Sequence, residues 1–209
     1  MNILGIGASS TTSIAYHVGE HRKTLGDHIA YASRSGALGY ACDVTDPATL
    51  LAVFEKERPE VVILAVGIAL QHSSIDSFDD WERQRDDIMA RSLGTHAVMI
   101  AAEMTESVTH VIALGGRESF EDPALGAYAT SNGALWGRVQ HANKHARYDS
   151  WDVSMPLVIG SANGESLRAA GLHTGPEIAK AIYVAEVVRA VDEILAGGHP
   201  PGRITLGKR

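Results

Sequence analysis

Short apolar runs alternate with amphipathic stretches along the whole chain, and that alternation restricts it to parallel strands joined by crossover helices. Strands are predicted at Asn2–Ile6, His28–Ala32, Leu38–Cys42, Val61–Ala65, His110–Leu114, Trp151–Met155 and Arg203–Leu206. Helices are predicted over Ser13–Leu25, Pro47–Glu57, Phe78–Met104, Tyr128–Arg147 and Gly175–Ala196. Asp46-Pro47 and Gly175-Pro176 supply helix openings, and Gly26 and Gly197 supply stops. The implied architecture is a doubly wound, seven-stranded parallel α/β sheet with helices on both faces. With 209 residues, 45% of them hydrophobic, one domain can bury a real core. Leu157–His173, with Gly160, Gly164 and Gly171, shows no clear element and is predicted to be a loop that covers substrate.

Composition removes several classes of partner. Net charge is −7 and Lys and Arg are scattered, so no basic face is available for nucleic acid or for an anionic membrane. The single cysteine, Cys42, excludes an internal disulfide and ends a predicted strand, which points to a buried structural thiol and a reducing compartment. No basic leader and no apolar segment of membrane-spanning length is present, so the cytoplasm is the expected location.

The opening segment carries the first chemistry. A strand ends at Gly7, a hydroxyl-rich turn follows through Ser9, Ser10, Thr11 and Ser13, and a helix starts with Ile14. A strand feeding a helix through a tight glycine turn aims backbone N–H groups and the helix N-terminus at one point, where a pyrophosphate can sit. Thr11 and Ser13 stand where the usual dinucleotide fingerprint has its later glycines.

In order and spacing the chain resembles the short-chain dehydrogenase/reductase family over nearly its whole length. The segment from Gly7 to Tyr16, with Ser13-Ile14-Ala15, resembles the turn of its enoyl-acyl-carrier-protein reductase branch, where Ser-Ile-Ala replaces the later glycines. The resemblance implies a Rossmann fold and a nicotinamide dinucleotide. Ser33, Arg34 and Ser35 match the place where members that prefer NADP hold the 2′-phosphate. A guanidinium with hydroxyls suits that dianion, so NADP is favoured over NAD. Asp43-Val44 resembles the adenine-contacting segment, and Ala65-Val66-Gly67 resembles the strand end beneath the adenine ribose. Pro156 falls at a nicotinamide-side position. Gly202–Leu206 resembles the closing strand, and the resemblance also implies a homo-oligomer, a dimer or tetramer.

At the catalytic end the chain departs from the family. Tyr128 and Asn132 occupy the two ends of the Tyr-x-x-x-Lys motif, one helical turn apart. An amide there can hydrogen-bond a ribose but brings no cation to lower the tyrosine pKa, so Tyr128 is better suited to donating than to abstracting a proton. The family's serine is missing from Ala113-Leu114-Gly115-Gly116-Arg117, and its helix asparagine is replaced by Arg91. Arg91 and Arg117 are candidates to stabilise developing negative charge around Tyr128, with Glu118, Ser119 and His72 on loops nearby. The leading expectation is NADPH-dependent reduction of a carbonyl or polarised C=C in a small metabolite. The alternatives are a non-redox lyase, isomerase or dehydratase that uses Tyr128 as acid, and a cofactor sensor without chemistry. His17 with His21 and His141 with His145 have helical i,i+4 spacing but no third ligand, so no metal is assigned. No Gly-x-Ser-x-Gly elbow or Gly-Lys-Ser/Thr phosphate loop occurs. The long third helix carries Ile88, Leu93, Ala97, Ile100 and Met104 at helical spacing. It and the helix bearing Trp136 and Val139 are open to two readings, oligomer contact or core.

Overall fold

The computed structural model describes residues 1–66, 81–116, 126–156, 158–161, 165 and 181–207; side chains at 83–84, 86–87 and 126–128 are outside the description. In chain order the elements are β1 (Asn2–Ile6), α1 (Ile14–Thr24), β2 (His28–Ser33), β3 (Tyr40–Ala41), α2 (Pro47–Glu57), β4 (Val61–Leu64), α3 (Trp81–Met104) and β5 (His110–Gly116). They continue as α4 (Gly126–His145), β6 (Asp149–Met155), β7 (Val158–Ile159), β8 (Ile182–Tyr183), α5 (Val184–Leu195) and β9 (Gly202–Thr205).

Seven strands make one sheet in the order β3-β2-β1-β4-β5-β6-β9, with every pairing parallel. The chain runs outward from β1 to β3 and then returns to lay β4 against the other side of β1. Strand order therefore reverses between β1 and β4, and a crevice opens at their carboxyl ends. Each strand alternates its side chains between two cores, which is why β4 reads as an unbroken apolar run. Val62, Leu64, Val111 and Ala113 join Leu50 and Phe54 of α2, Val98 and Met99 of α3, and Leu135 and Val139 of α4. Ile63, Ile112 and Val153 join Val18 of α1 and Val187, Val191 and Ile194 of α5.

Two sequence expectations need correction. The last helix begins at Val184, not Gly175, and Ile182–Tyr183 before it is a strand paired in parallel with Val158–Ile159, inside the stretch expected to lack structure. Burial drives this, since Val158 and Ile182 are 5% and 2% exposed and plug the α5 side of the core. The helix opens where Glu186 Oε1 accepts the Tyr183 N–H at 3.3 Å. Residues 175–180 are outside the description. The third strand shrinks from Leu38–Cys42 to Tyr40–Ala41, because the chain first makes a turn through Gly36 at φ +64°. The α3 stripe, open to two readings, divides: Leu93, Ile100 and Met104 are exposed, as is Met89, whereas Ile88 is half-buried and Ala97 packs against the core beside Val98, Met99, Ala101 and Ala102. On α4, Val139 is core and Trp136 packs against it.

Side chains fasten α3 to α4. The Arg147 guanidinium donates to the carbonyls of Ala102 at 2.6 Å, Glu103 at 2.9 Å and Glu106 at 3.0 Å, and also to that of Thr105. It thereby satisfies the unpaired carbonyls at the C-terminus of α3 and sets a cation against the negative end of its dipole. Tyr148 donates to Met99 O at 2.9 Å, and burial pushes its phenol up to about 12. Asn143 accepts from both the Ser150 N–H and hydroxyl at 2.8 Å and donates to Ser150 O at 2.9 Å, which fixes the entry into β6. Among the described residues no helix is long and apolar enough to cross a membrane. Arg147→Ala is expected to lower stability by about 2 kcal/mol in denaturant unfolding, with Arg147→Lys recovering less than half, because an ammonium cannot reproduce the fork.

Candidate functional site

The turn after β1 is built around a glycine that nothing else can replace. Gly7 has φ +94°, its N–H donates to Ala32 O at 2.8 Å, and a Cβ there would overlap the Ala65 carbonyl oxygen. The hydroxyl residues then hold one another. Ser10 N–H donates to Ser13 Oγ at 3.2 Å, Ser13 N–H to Ser10 O at 3.0 Å, and the Ser10 and Thr12 hydroxyls lie 3.0 Å apart. Ser13 is the N-cap of α1, yet its side chain makes no cap hydrogen bond. The first-turn N–H groups from Ile14 onward therefore keep their positive end toward the crevice without a capping oxygen. Ser9 and Thr11 are exposed on the rim. A glycine cradle, a hydroxyl turn and an uncapped helix N-terminus fit a pyrophosphate in donor chemistry and in space.

The sequence reading missed how α1 comes so close to the sheet without the later glycines. Gly19, within α1, and Gly5, in β1, flank the Tyr31 ring, and a Cβ at Gly19 would overlap the phenol. Tyr31 donates to Glu20 Oε1 at 2.9 Å, and burial with that carboxylate beside it drives its pKa far upward. The helix–strand contact made elsewhere by a glycine inside the turn is made here one helical turn and more downstream.

At the β2 end Ser33 is buried, with its hydroxyl 3.3 Å from that of Ser35, while Arg34 and Ser35 are exposed. Asp43 Oδ1 accepts from Thr45 N–H at 2.9 Å and Thr45 Oγ1 at 2.7 Å. Those bonds, with the nearby Arg34 guanidinium, hold its carboxyl below the usual range. Val44 is buried, and Gly94 of α3 is bare because any side chain there would overlap it. Ala65 and Val66 are half-buried at the exit of β4. Cys42 is 2% exposed, and burial pushes its thiol up, as suits a structural residue. Gly67 lies outside the described residues.

At the other end of the crevice, Tyr128 stands in the first turn of α4, and its side chain is outside the description, as are Arg117, Glu118, Ser119 and His72 in full. Asn132 is buried, and its Oδ1 accepts the Gly116 N–H at 3.0 Å, tying α4 to the end of β5. Arg91 is 3% exposed on α3, one turn before Gly94. Because α3 joins the parallel strands β4 and β5, its N-terminal half lies toward their carboxyl ends, so Arg91 is a buried residue on the crevice side. Pro156 follows β6 half-buried.

The absent serine has a structural cause. A Cβ at Gly115 would overlap Asp152 Oδ1. Asp152 is 2% exposed, and its Oδ2 accepts Arg203 Nε at 2.8 Å, while the Arg203 guanidinium lies 4.4 Å from the centre of the Trp136 ring. An Asp–Arg pair thus fills the space beside the β5 terminus. Its signal in the sequence is a charged residue inside the otherwise buried run Trp151–Met155. The two histidine pairs differ: His21 Nε2 lies 2.7 Å from Asp192, while the His141 and His145 rings are 4.6 Å apart. Gly115→Ala is expected to lower stability by about 1–3 kcal/mol, and Gly115→Ser at least as much, with thermal unfolding as the measurement.

No family model matches the sequence, and no curated protein matches it. Solved structures match the fold. The protein lin1944 of Listeria innocua superposes with a TM-score of 0.75 at 19% identity, covering 99% of each chain. A short chain dehydrogenase/reductase family protein reaches 0.78 at 13% identity over 97% of this chain and 94% of its own. UDP-glucose 4-epimerase of Thermus thermophilus, solved with NAD, reaches 0.74 at 17% identity over 100% of this chain and 78% of its own. The architecture is therefore the Rossmann fold that short-chain dehydrogenases and nucleotide-sugar epimerases share, as the sequence reading expected.

Proposed function

We propose that this chain is a divergent short-chain dehydrogenase/reductase that binds NADP(H) and reduces a carbonyl or polarised C=C of a small metabolite. The observation that carries the reading is the Gly7 cradle against Ala65 beside the uncapped N-terminus of α1, placed at the strand-order reversal. Neighbours of the same fold solved with NAD add support for a nicotinamide dinucleotide. Preference for the 2′-phosphate rests on Arg34, exposed beside Ser35 and with no carboxylate in the Ser33–Ser35 segment. Asp43, the nearest acid noted there, is held by Thr45.

In this reading Ser10, Ser13 and the first-turn amides of α1 hold the pyrophosphate, and Arg34 with Ser33 and Ser35 holds the 2′-phosphate. Val44, Ala65, Val66 and Gly67 line the adenosine side, and Asn132 and Pro156 the nicotinamide side. When bound, the reduced nicotinamide supplies a hydride. Tyr128 donates the proton, and Arg91 and Arg117 offset negative charge as it develops on the substrate. A non-redox conversion at the same site is favoured by one feature, the amide at Asn132 where a lysine cation would assist hydride chemistry. We also propose a homodimer through the outward face of α3, where Met89, Leu93, Ile100 and Met104 are exposed along one side of a helix.

Titration with NADPH and NADH, followed by tryptophan quenching, is the decisive first experiment. Arg34→Ala is expected to weaken NADPH at least tenfold while changing NADH less than twofold; equal weakening removes the 2′-phosphate assignment. Tyr128→Phe is expected to abolish carbonyl-dependent NADPH oxidation with cofactor binding intact. Substrate conversion without NADPH oxidation selects the non-redox reading instead. For the dimer, Leu93→Glu with Ile100→Glu is expected to give a monomer in sedimentation equilibrium.

A further inference from the structure

The end of β5 carries no hydroxyl, but the strand beside it does. Gly115 pairs in register with Ser154 of β6, and residues opposite one another in a parallel pair project from the same face. That face is the one under α4, because a Cβ at Gly115 would meet Leu135 as well as Asp152. Ser154 lies two residues beyond Asp152, on the same face and one step nearer the carboxyl edge where the crevice opens. It is 4% exposed, and its hydroxyl makes no hydrogen bond with any described residue. Its backbone is fixed on both sides by pairing with Gly115 and Thr205, and its carbonyl accepts the Leu206 N–H at 3.0 Å. The hydroxyl is not fully enclosed, so a donor held rigidly near the carboxyl edge, with no partner among the described residues, is open to one from outside the strand.

We propose that Ser154 is the hydrogen-bond donor to the substrate oxygen, replacing from β6 the serine that Asp152 excludes from β5. The assignment rests on the reductase reading above. In the reaction the carbonyl carbon accepts hydride from the reduced dinucleotide and the oxygen accepts a proton from Tyr128, so C=O becomes CH–OH and NADPH becomes NADP⁺. Ser154 keeps its proton throughout. It donates a hydrogen bond that strengthens as charge builds on the oxygen, and a donor on a paired strand needs no reorganisation to do so.

Two measurements test the proposal, with isatin as the carbonyl probe. In a Cys42→Ser background, Ser154→Cys is treated with methyl methanethiosulfonate and followed by mass spectrometry, with circular dichroism as the check on folding. The expected result is full labelling of the folded protein, slowed at least tenfold by saturating NADP⁺. Ser154→Ala is expected to bind NADPH within twofold of the parent while kcat for isatin falls about 100-fold or more with little change in KM, and Ser154→Thr to restore most of it. A folded S154C that resists labelling, labelling indifferent to NADP⁺, or an unchanged kcat in S154A overturns the donor role alone. Labelling and its protection decide the matter even when isatin is not turned over. Failure of the parent protein to bind NADPH is a different outcome, which overturns the reductase reading and the donor role with it.

Discussion

The strand-order reversal depends on one close approach, the exit of β1 passing within contact of the Ala65 carbonyl. Gly7 makes it possible because it has no Cβ and adopts a positive φ without strain. With β1 and β4 that close, the strand-order reversal becomes a narrow crevice rather than a gap. The hydroxyl turn is then forced to rise over its edge and hand the chain to α1. Ser10 and Ser13 bond to each other and not to the first turn of the helix, so the turn is rigid and the helix N-terminus still lacks a cap. Side chains that hold the loop while leaving the amides available have the same effect as glycines at those positions.

At the opposite end, a buried ion pair decides what the site can contain. Asp152 is buried and Arg203 half-buried, so removing the guanidinium would leave the Asp152 charge uncompensated in the interior. The guanidinium also packs over the face of Trp136, so β6, β9 and α4 meet at one point. This fixes residue 115 as glycine, since the carboxylate lies where any side chain would begin. The absence of a side chain at 115, where short-chain dehydrogenase/reductases carry a serine, is therefore a packing consequence of an acid on the neighbouring strand. Any compensation for it has to come from outside β5.

Much of this was legible in the sequence for identifiable reasons. Fully buried parallel strands such as Val61–Leu64 are continuous apolar runs, and turn glycines at Gly7, Gly26 and Gly197 each have the positive φ that their positions suggested. The hydroxyl turn stood out in the residues themselves, whereas the 33–35 segment and the motif beginning at Tyr128 were legible only through the family resemblance. What stayed hidden depends on contacts between distant residues. Periodicity could not divide the α3 stripe, of which Leu93, Ile100 and Met104 point outward while Ala97 packs inward beside Val98, Ala101 and Ala102. The two-residue strands β7 and β8 are too short to leave a pattern, and each exists because the other is adjacent. Gly19 looked like an ordinary helix position until Tyr31 was seen against it. Asp152 was visible as a charge in an apolar strand, but its partner is 51 residues away.

The exchange of lysine for asparagine at 132 has a second effect beyond the lost charge. A lysine ammonium has no acceptor, whereas the Asn132 amide oxygen takes the Gly116 N–H at 3.0 Å and so closes the end of β5 against α4. The residue that would serve the reaction as a cation serves the backbone as an acceptor. In the proposed reductase an amide one turn after Tyr128, in place of a cation, does nothing to draw the phenol proton off. That favours reactions in which an oxygen gains a proton over those in which an alcohol must lose one. A buried arginine on the neighbouring helix, Arg91 at 3% exposure, places a cation on the crevice side. The proposed reduction would draw its donor acid from α4, its hydroxyl from β6 and its cation from α3, so that each group is held by a different element.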